Sequence, residues 1–187
     1  MNNYKFLKVI ISGDRRTGKS TLTSRLSNKE LDKEYNTTIG VEFSSRYLQE
    51  LDLKVNIWDL GGEHRFENIT VQYFKIVSII VFVYSIDSYD SFLRIQELYK
   101  RYIEDGTINS HKIIVVCNKF DLINETNKPL LNQGIDWANY ISAGFISVSA
   151  KENTNVTGLF NSLLIMGDIK IKEKEEKKDN FRKCILL

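Results

Sequence analysis

The sequence predicts an α/β fold: a mostly parallel six-stranded sheet with one antiparallel edge strand and helices on both faces. Two observations predict it. Short runs rich in Val and Ile alternate along the chain with segments whose apolar residues recur at helical spacing. Two of the runs, IVSIIVFVY at 76–84 and KIIVVC at 112–117, are almost wholly apolar, as strands covered on both faces are.

In order, Lys5–Ser12 reads as a strand closed by a glycine turn, and residues 19–27 as a helix with Leu22 and Leu26 on one face. Residues 28–38 are polar without a period and read as a loop. Residues 41–51 and 54–59 read as two strands joined by a tight turn around Asp52. The second, KVNIW, alternates polar with apolar, as an exposed edge or half-buried strand does. Residues 60–73 carry glycines and then polar residues, a loop leading into a short helix. After the strand at 76–84, residues 92–102 place Phe92, Ile95, Leu98, Tyr99 and Tyr102 at helical spacing. The strand at 112–117, a weaker helix at 132–141, a short strand at 145–148 and a helix at 156–171 complete the domain. Residues 1–171 form the predicted globular unit, and residues 172–187 a flexible charged tail.

A chain of 187 residues with 42% hydrophobic and 27% charged residues has the composition of an ordinary globule with one core. The net charge of +2 is too small to point to a nucleic-acid partner. No apolar run reaches transmembrane length, and the first residues reach a glycine motif too soon for a signal peptide. Cys117, inside an apolar run, reads as a buried reduced thiol, and the expected compartment is the cytoplasm.

GDRRTGKS at 13–20 matches GxxxxGK[ST] between a strand and a helix, the context that makes the motif credible. Gly13, Asp14, Arg15, Arg16, Thr17, Gly18, Lys19, Ser20 and Thr21 are the expected phosphate cradle. Backbone N–H groups and the helix start face the anion, Lys19 adds a point charge, and the Ser20 hydroxyl is placed for Mg²⁺. Asp59, at the end of a neighbouring strand, reads either as a second metal-side group or as a loop cap. Asn118, Lys119 and Asp121 follow a buried strand. Guanine offers an N1–H and an N2 amine, so a carboxylate accepting from both selects it against adenine. Asp121 suits that role, Asn118 can tie loops together and touch the base, and the Lys119 stem can lie over the ring. Ser149, Ala150 and Lys151, after the last strand, are placed to close the other side of the base pocket.

With these motifs in order, the chain resembles the Ras-superfamily small GTPases, most of all the Rab branch, over about residues 5–171. The motifs that carry the resemblance are GDRRTGKS, TIG at 38–40, WDLGG at 58–62, NKFD at 118–121 and SAK at 149–151. The Rab character lies in IGVEF at 39–43, RFENIT at 65–70 and VQYFK at 71–75. The resemblance implies the P-loop G-domain fold and a switch binding GTP or GDP with Mg²⁺, with Ser20, Thr38 and Asp59 around the metal. It places Thr38 in switch I and Gly62 at the start of switch II, its N–H on the γ-phosphate, with Tyr35 also at the nucleotide. Loss of that phosphate releases both loops. It further implies vesicle-traffic effectors at the switch loops, an exchange factor, an activating protein, a prenyl transferase and a chaperone of the GDP-dissociation-inhibitor kind. Phe43, Trp58 and Tyr73 are the expected apolar effector surface.

The chain departs from the family pattern at several positions. The usual glutamine that orients the attacking water is Glu63, followed by His64. A carboxylate beside a γ-phosphate adds like charge and lacks an amide donor; action as a base is the alternative. The usually small phosphate-loop residue is Arg15. Its side chain can crowd the water and exclude a partner's arginine finger, point to solvent, or act as a finger in cis. Glu63, Gly62, Lys19 and Arg15 are therefore the candidate catalytic residues, with slow hydrolysis the expected consequence. Leu31 replaces the usual aromatic edge to guanine, predicting faster nucleotide release. The chain ends Cys184-Ile-Leu-Leu, which fits a geranylgeranylation signal on Cys184, and the tail's lysines favour an anionic leaflet. Two further readings stay open: a largely GTP-bound effector-docking module, and a Ras- or Rho-like signalling enzyme.

Overall fold

The computed structural model describes residues 5–30, 38–62, 73–74, 77–104 and 112–169. Leu31, Tyr35, Glu63, His64, the RFENIT segment and the tail with Cys184 lie outside the described residues. The elements are β1 (Lys5–Ser12), α1 (Lys19–Leu26), β2 (Val41–Leu48), β3 (Leu53–Leu60), β4 (Ile79–Ser85), α2 (Tyr89–Tyr99), β5 (Lys112–Asn118), α3 (Lys128–Tyr140), β6 (Gly144–Ser147) and α4 (Val156–Met166). They form a six-stranded sheet in the order β2-β3-β1-β4-β5-β6. Only the β2–β3 pair is antiparallel, as expected for one reversed edge strand.

Of the two readings of KVNIW, exposed edge or half-buried strand, the structure takes the second. β3 pairs with β1 on one side and β2 on the other, and β2 takes the edge. The alternation in KVNIW instead reports a half-buried strand: Leu53, Val55 and Ile57 are buried, whereas Lys54, Asn56 and Trp58 are partly exposed on the opposite face. β2 also ends earlier than residue 51. Gln49–Leu51 form a single 3₁₀ turn, and Asp52 takes a left-handed conformation with φ 45° to reverse the chain.

Helix ends shift for local reasons. α2 starts before Phe92 because Ser88 caps it, accepting a hydrogen bond from the Ser91 N–H at 3.2 Å. After Tyr99 the backbone widens into a π-turn over Lys100–Glu104, which brings Tyr102 onto Phe74 with centroids 4.9 Å apart. α3 begins at Lys128 rather than 132, because Pro129 sits in its first turn, where a missing N–H costs nothing. α4 stops at Met166 rather than 171. Asp168 turns left-handed there (φ 58°), and Lys112 Nζ bonds both the Met166 carbonyl and Asp168 Oδ2, the latter at 2.7 Å.

The sheet is covered on both faces. Val9, Ile11, Ile57, Val81, Val83 and Val116 pack against Leu22 and Leu26 of α1 and Leu159, Phe160 and Leu163 of α4. The alternate residues Ile10, Ile80, Phe82, Tyr84 and Val115 pack against Phe92 and Ile95 of α2 and Leu130 and Ala138 of α3. β1 therefore lies between β3 and β4 in a sheet with both faces closed, so its carboxyl end opens into a crevice suited to a ligand.

Candidate functional site

The loop leaving β1 is held by its own backbone. Gly13 has φ 151°, and a Cβ there would lie 2.1 Å from the Val83 carbonyl oxygen, so the loop can pass β4 only without a side chain. The Asp14 carbonyl accepts from Thr17 Oγ1 at 2.9 Å and from Lys19 Nζ at 2.8 Å. Asp14 Oδ1 in turn accepts from the Arg15 N–H at 2.8 Å. Gly18 stands as the N-cap before α1 and offers no side chain, so the first N–H groups of the helix carry no side-chain cap. Two arginines lie on the rim, and both are exposed. Arg16 holds φ 61°, a conformation glycine takes without strain; the GDRRTGKS pattern gave no signal of it.

Lys19 is only 6% exposed and Asp59 fully buried. Burial pushes the Lys19 ammonium below its ordinary pKa, against the opposing pull of Asp59 and Asp14. Burial likewise raises the Asp59 carboxyl to about 6, although Lys19 and the nearby Ser20 and Thr38 hydroxyls favour its charged form. Among the described residues neither Asp59 oxygen has a partner at ordinary hydrogen-bond geometry, although the Ser20 and Thr38 hydroxyls lie close. Ser20 Oγ and Thr38 Oγ1 lie 2.9 Å apart beside it. Three hard oxygen groups thus converge, one of them a buried carboxylate, a donor set that suits a small divalent cation. Asp59 comes from β3, level with Ile11 in the parallel ladder, and so stands beside the start of the phosphate loop.

Gly62 closes on the same loop. A Cβ there would lie 2.3 Å from the Arg15 nitrogen and 2.5 Å from the Asp14 carbonyl carbon, so the two backbones are in direct contact. Gly61 is anchored by donating to the Gly40 carbonyl at 2.8 Å, which joins the chain after β3 to the chain before β2.

The third part of the site is built around Asn118, the last residue of β5. Its Nδ2 donates to the carbonyls of Thr17 at 2.8 Å and Gly18 at 3.1 Å, and its Oδ1 accepts from the Ala150 N–H at 3.1 Å. Asp121 Oδ1 accepts from Ser149 Oγ at 2.5 Å, and Ser149 Oγ accepts from the Glu152 N–H at 3.1 Å. Asp121 is exposed, so its carboxylate keeps further acceptor capacity towards the crevice. Lys119 takes a left-handed backbone (φ 58°), and its Nζ pairs with Asp87 at 3.3 Å. Burial alone would raise the Asp87 carboxyl, but the Ser85 hydroxyl and Lys119 outweigh it and hold the pKa below its ordinary value.

The structure therefore brings residues 13–21, Thr38, Asp59, Gly62, 118–121 and 149–151 to one edge of the sheet. Sequence reading missed two members. Asp87 follows β4 without a motif of its own. Arg25, in the last turn of α1, donates from Nε to the Ala150 carbonyl at 3.1 Å and from Nη2 to the Lys151 carbonyl at 3.0 Å. A lone arginine at the end of a helix carries no signal that its partners lie 125 residues away. Of the expected effector residues, Phe43 is 50% exposed and its ring packs on Trp58 with centroids 5.4 Å apart, while Trp58 and Tyr73 are partly buried.

Comparison with known proteins agrees with this geometry. A family profile described as Ras family matches residues 8–166. Ras-related protein RabC of Dictyostelium discoideum is 30% identical over 177 residues, covering 91% of this chain and 87% of that protein. Ras-related protein Rab-8B of Pongo abelii is 31% identical, covering 98% of both chains. Ras-related protein RABE1e of Arabidopsis thaliana is 35% identical, covering 90% of this chain and 78% of its own length. Membership of such a family implies binding of GTP or GDP with Mg²⁺ and dependence on regulators and effectors. The chain belongs to the Ras family of small GTPases, related to Rab proteins over most of its length, and is a GTP-hydrolysing, nucleotide-dependent switch.

Proposed function

We propose that this chain is a Rab-like switch of vesicle traffic that stays long in its GTP state because its own hydrolysis is slow. The observation that carries the reading is the direct backbone contact between Gly62 and Arg15. The residue that reports the γ-phosphate to the second switch loop is seated on Arg15, a long cationic side chain at the phosphate-loop position that is usually small.

The geometry supports the following roles for the described residues, and the family resemblance those of Tyr35 and Glu63. The N–H groups at the start of α1 and Lys19 take the phosphates, within the loop of residues 13–21. Ser20, Thr38 and Asp59 fit Mg²⁺, which when bound neutralises charge on the β- and γ-phosphate oxygens. Asp121, braced by Ser149, accepts from the guanine edge, while Asn118 and Ala150 hold the two loops at a set distance. Lys119 lays its stem over the base, and Lys151 and Tyr35 complete the pocket. Arg15 is exposed, and in this reading its side chain crowds the rim where an activating protein's arginine would enter. Glu63 contributes repulsion where an amide would orient water.

Output passes through effectors that read Phe43 and Trp58 when the switch loops are ordered. Among the described residues no helix is long and apolar enough to cross a membrane. Attachment through a prenyl group on Cys184 rests on the Cys184-Ile-Leu-Leu pattern and the net positive tail, with residues 172–187 as its tether. An exchange factor, an activating protein, a prenyl transferase and a chaperone of the GDP-dissociation-inhibitor kind are the partners this cycle requires.

Single-turnover hydrolysis of GTP with Mg²⁺ tests the reading, using the parent beside Arg15→Gly and Glu63→Gln. A slow parent rate that rises in both variants is expected. A parent rate typical of active family members, lost when either residue is changed, would make Arg15 and Glu63 an alternative catalytic pair.

A further inference from the structure

Arg25 connects the two ends of the nucleotide crevice. α1 begins with Lys19 and Ser20 at the phosphate loop and carries Arg25 in its last turn. From there the half-buried guanidinium crosses to the loop after β6 and takes two consecutive carbonyls, Ala150 at 3.1 Å from Nε and Lys151 at 3.0 Å from Nη2. The two donors lie in one rigid plane, so holding both carbonyls sets the orientation of two successive peptide units.

That orientation has a chemical consequence. In a planar trans peptide the N–H points opposite to the C=O. With the Ala150 and Lys151 carbonyls turned towards Arg25, the N–H groups of Lys151 and Glu152 point away from α1. The Glu152 N–H is taken by Ser149 Oγ at 3.1 Å, and the Ala150 N–H by Asn118 Oδ1 at 3.1 Å. The loop is thus pinned from α1 on one side and from β5 on the other. Its donors are held in register with Asp121, which bonds Ser149. Guanine carries an acceptor oxygen at C6 where adenine carries an amine donor, so fixed backbone donors at this end of the pocket favour guanine.

We infer that Arg25 is a positioning residue for base recognition. By holding the Ala150 carbonyl, and with the Lys151 carbonyl bracing the next peptide, it orients the Lys151 N–H towards the C6 oxygen of guanine. The inference rests on the guanine-nucleotide reading given above. It also makes α1 a strut, so that displacement of the phosphate loop is felt at the base loop through a single helix.

The test compares wild type, Arg25→Gln and Arg25→Lys, measuring affinity and release rate for GDP and for 6-thioguanosine diphosphate with Mg²⁺. The analogue keeps N1–H, the N2 amine, the sugar and the phosphates, and replaces the C6 oxygen by a weaker sulfur acceptor. In Arg25→Gln, GDP release is expected to rise about tenfold, the scale of one charge-assisted hydrogen bond. The preference for GDP over the analogue is expected to shrink towards unity. Arg25→Lys, which keeps the charge and one donor, should fall between. Equal loss of both nucleotides would make Arg25 a general brace and overturn the assignment, as would unchanged GDP release. A wild-type protein that holds neither nucleotide would overturn the guanine reading itself and the role of Arg25 with it.

Discussion

Asn118 Nδ2 donates to the carbonyl of Thr17 at 2.8 Å, across 101 residues of chain, in a buried setting. This bond and the one from the Ala150 N–H to Asn118 Oδ1 make a single amide the joint between the phosphate loop and the base loop. Removing the amide takes a donor from the Thr17 and Gly18 carbonyls, of which Gly18 keeps the Leu22 N–H, and an acceptor from the Ala150 N–H. Asn118→Ala is expected to cost about 2–3 kcal/mol of stability in the nucleotide-free protein, measured by urea unfolding. Asn118→Asp should be no better, because a carboxylate cannot donate to the Thr17 and Gly18 carbonyls. A loss below ~0.5 kcal/mol in both would show that the joint is not structural.

Gly62 meets the phosphate loop backbone to backbone. A methyl group at 2.3 Å from the Arg15 nitrogen cannot be absorbed by a side-chain rotation, so Gly62→Ala must displace the chain after β3. The position lies outside the two core clusters, and stability should change by less than about 1 kcal/mol. The difference in tryptophan fluorescence between the GDP form and a non-hydrolysable GTP form, reported by Trp58, should largely disappear. A normal nucleotide-dependent signal in Gly62→Ala would show that the contact plays no part in switching.

Asp87 holds Lys119 by an ion pair at 3.3 Å whose side chains are 38% and 32% exposed. At that exposure the pair is worth roughly 0.2–1 kcal/mol, so Asp87→Asn should speed GDP release about 1.5- to 5-fold and make it less sensitive to salt. The Asp87 carboxyl is held below its ordinary pKa. Its folded-state value lies under the unfolded one, so its contribution is present at neutral pH and is lost only as the pH falls through the folded value. Release rates for wild type and Asp87→Asn should therefore differ at pH 7 and converge only in strong acid.

Cys117 lies on β5, between β4 and β6, fully buried, and burial pushes its thiol up to about 12 although the Tyr84 hydroxyl opposes this. The reactive thiolate is scarce at pH 8, and the site is closed to reagents. In a Cys184→Ser background the native protein should show no rapidly reacting thiol with a disulfide reagent, and one after denaturation. Fast labelling of the native protein would reveal an opening of the β4–β5 region.

Much of the site was legible because its motifs are contiguous. GDRRTGKS, NKFD and SAK each lie within one loop, where residue types and spacing carry the chemistry, and the structure brings all three to one sheet edge. Asp59 was legible as a strand-end carboxylate. Its lack of hydrogen-bond partners among the described residues, a feature that suits a cation, was not. Arg25 and Asp87 escaped notice because each acts on a residue that another strand delivers.

Local patterning by itself determined the order of elements and the two-sided burial of β4 and β5, because periodicity is written residue by residue. It also pointed to the class of ligand, since a phosphate-cradle motif and a strand-end carboxylate are short-range devices. Only the tertiary structure decided that β3 is interior and β2 the edge, a matter of which strands pair rather than of composition. It also decided that Gly62 rests on Arg15 and that Arg25 ties α1 to the base loop. These are contacts between residues far apart in the chain, and they exist only once the parallel register sets the strand ends level with one another.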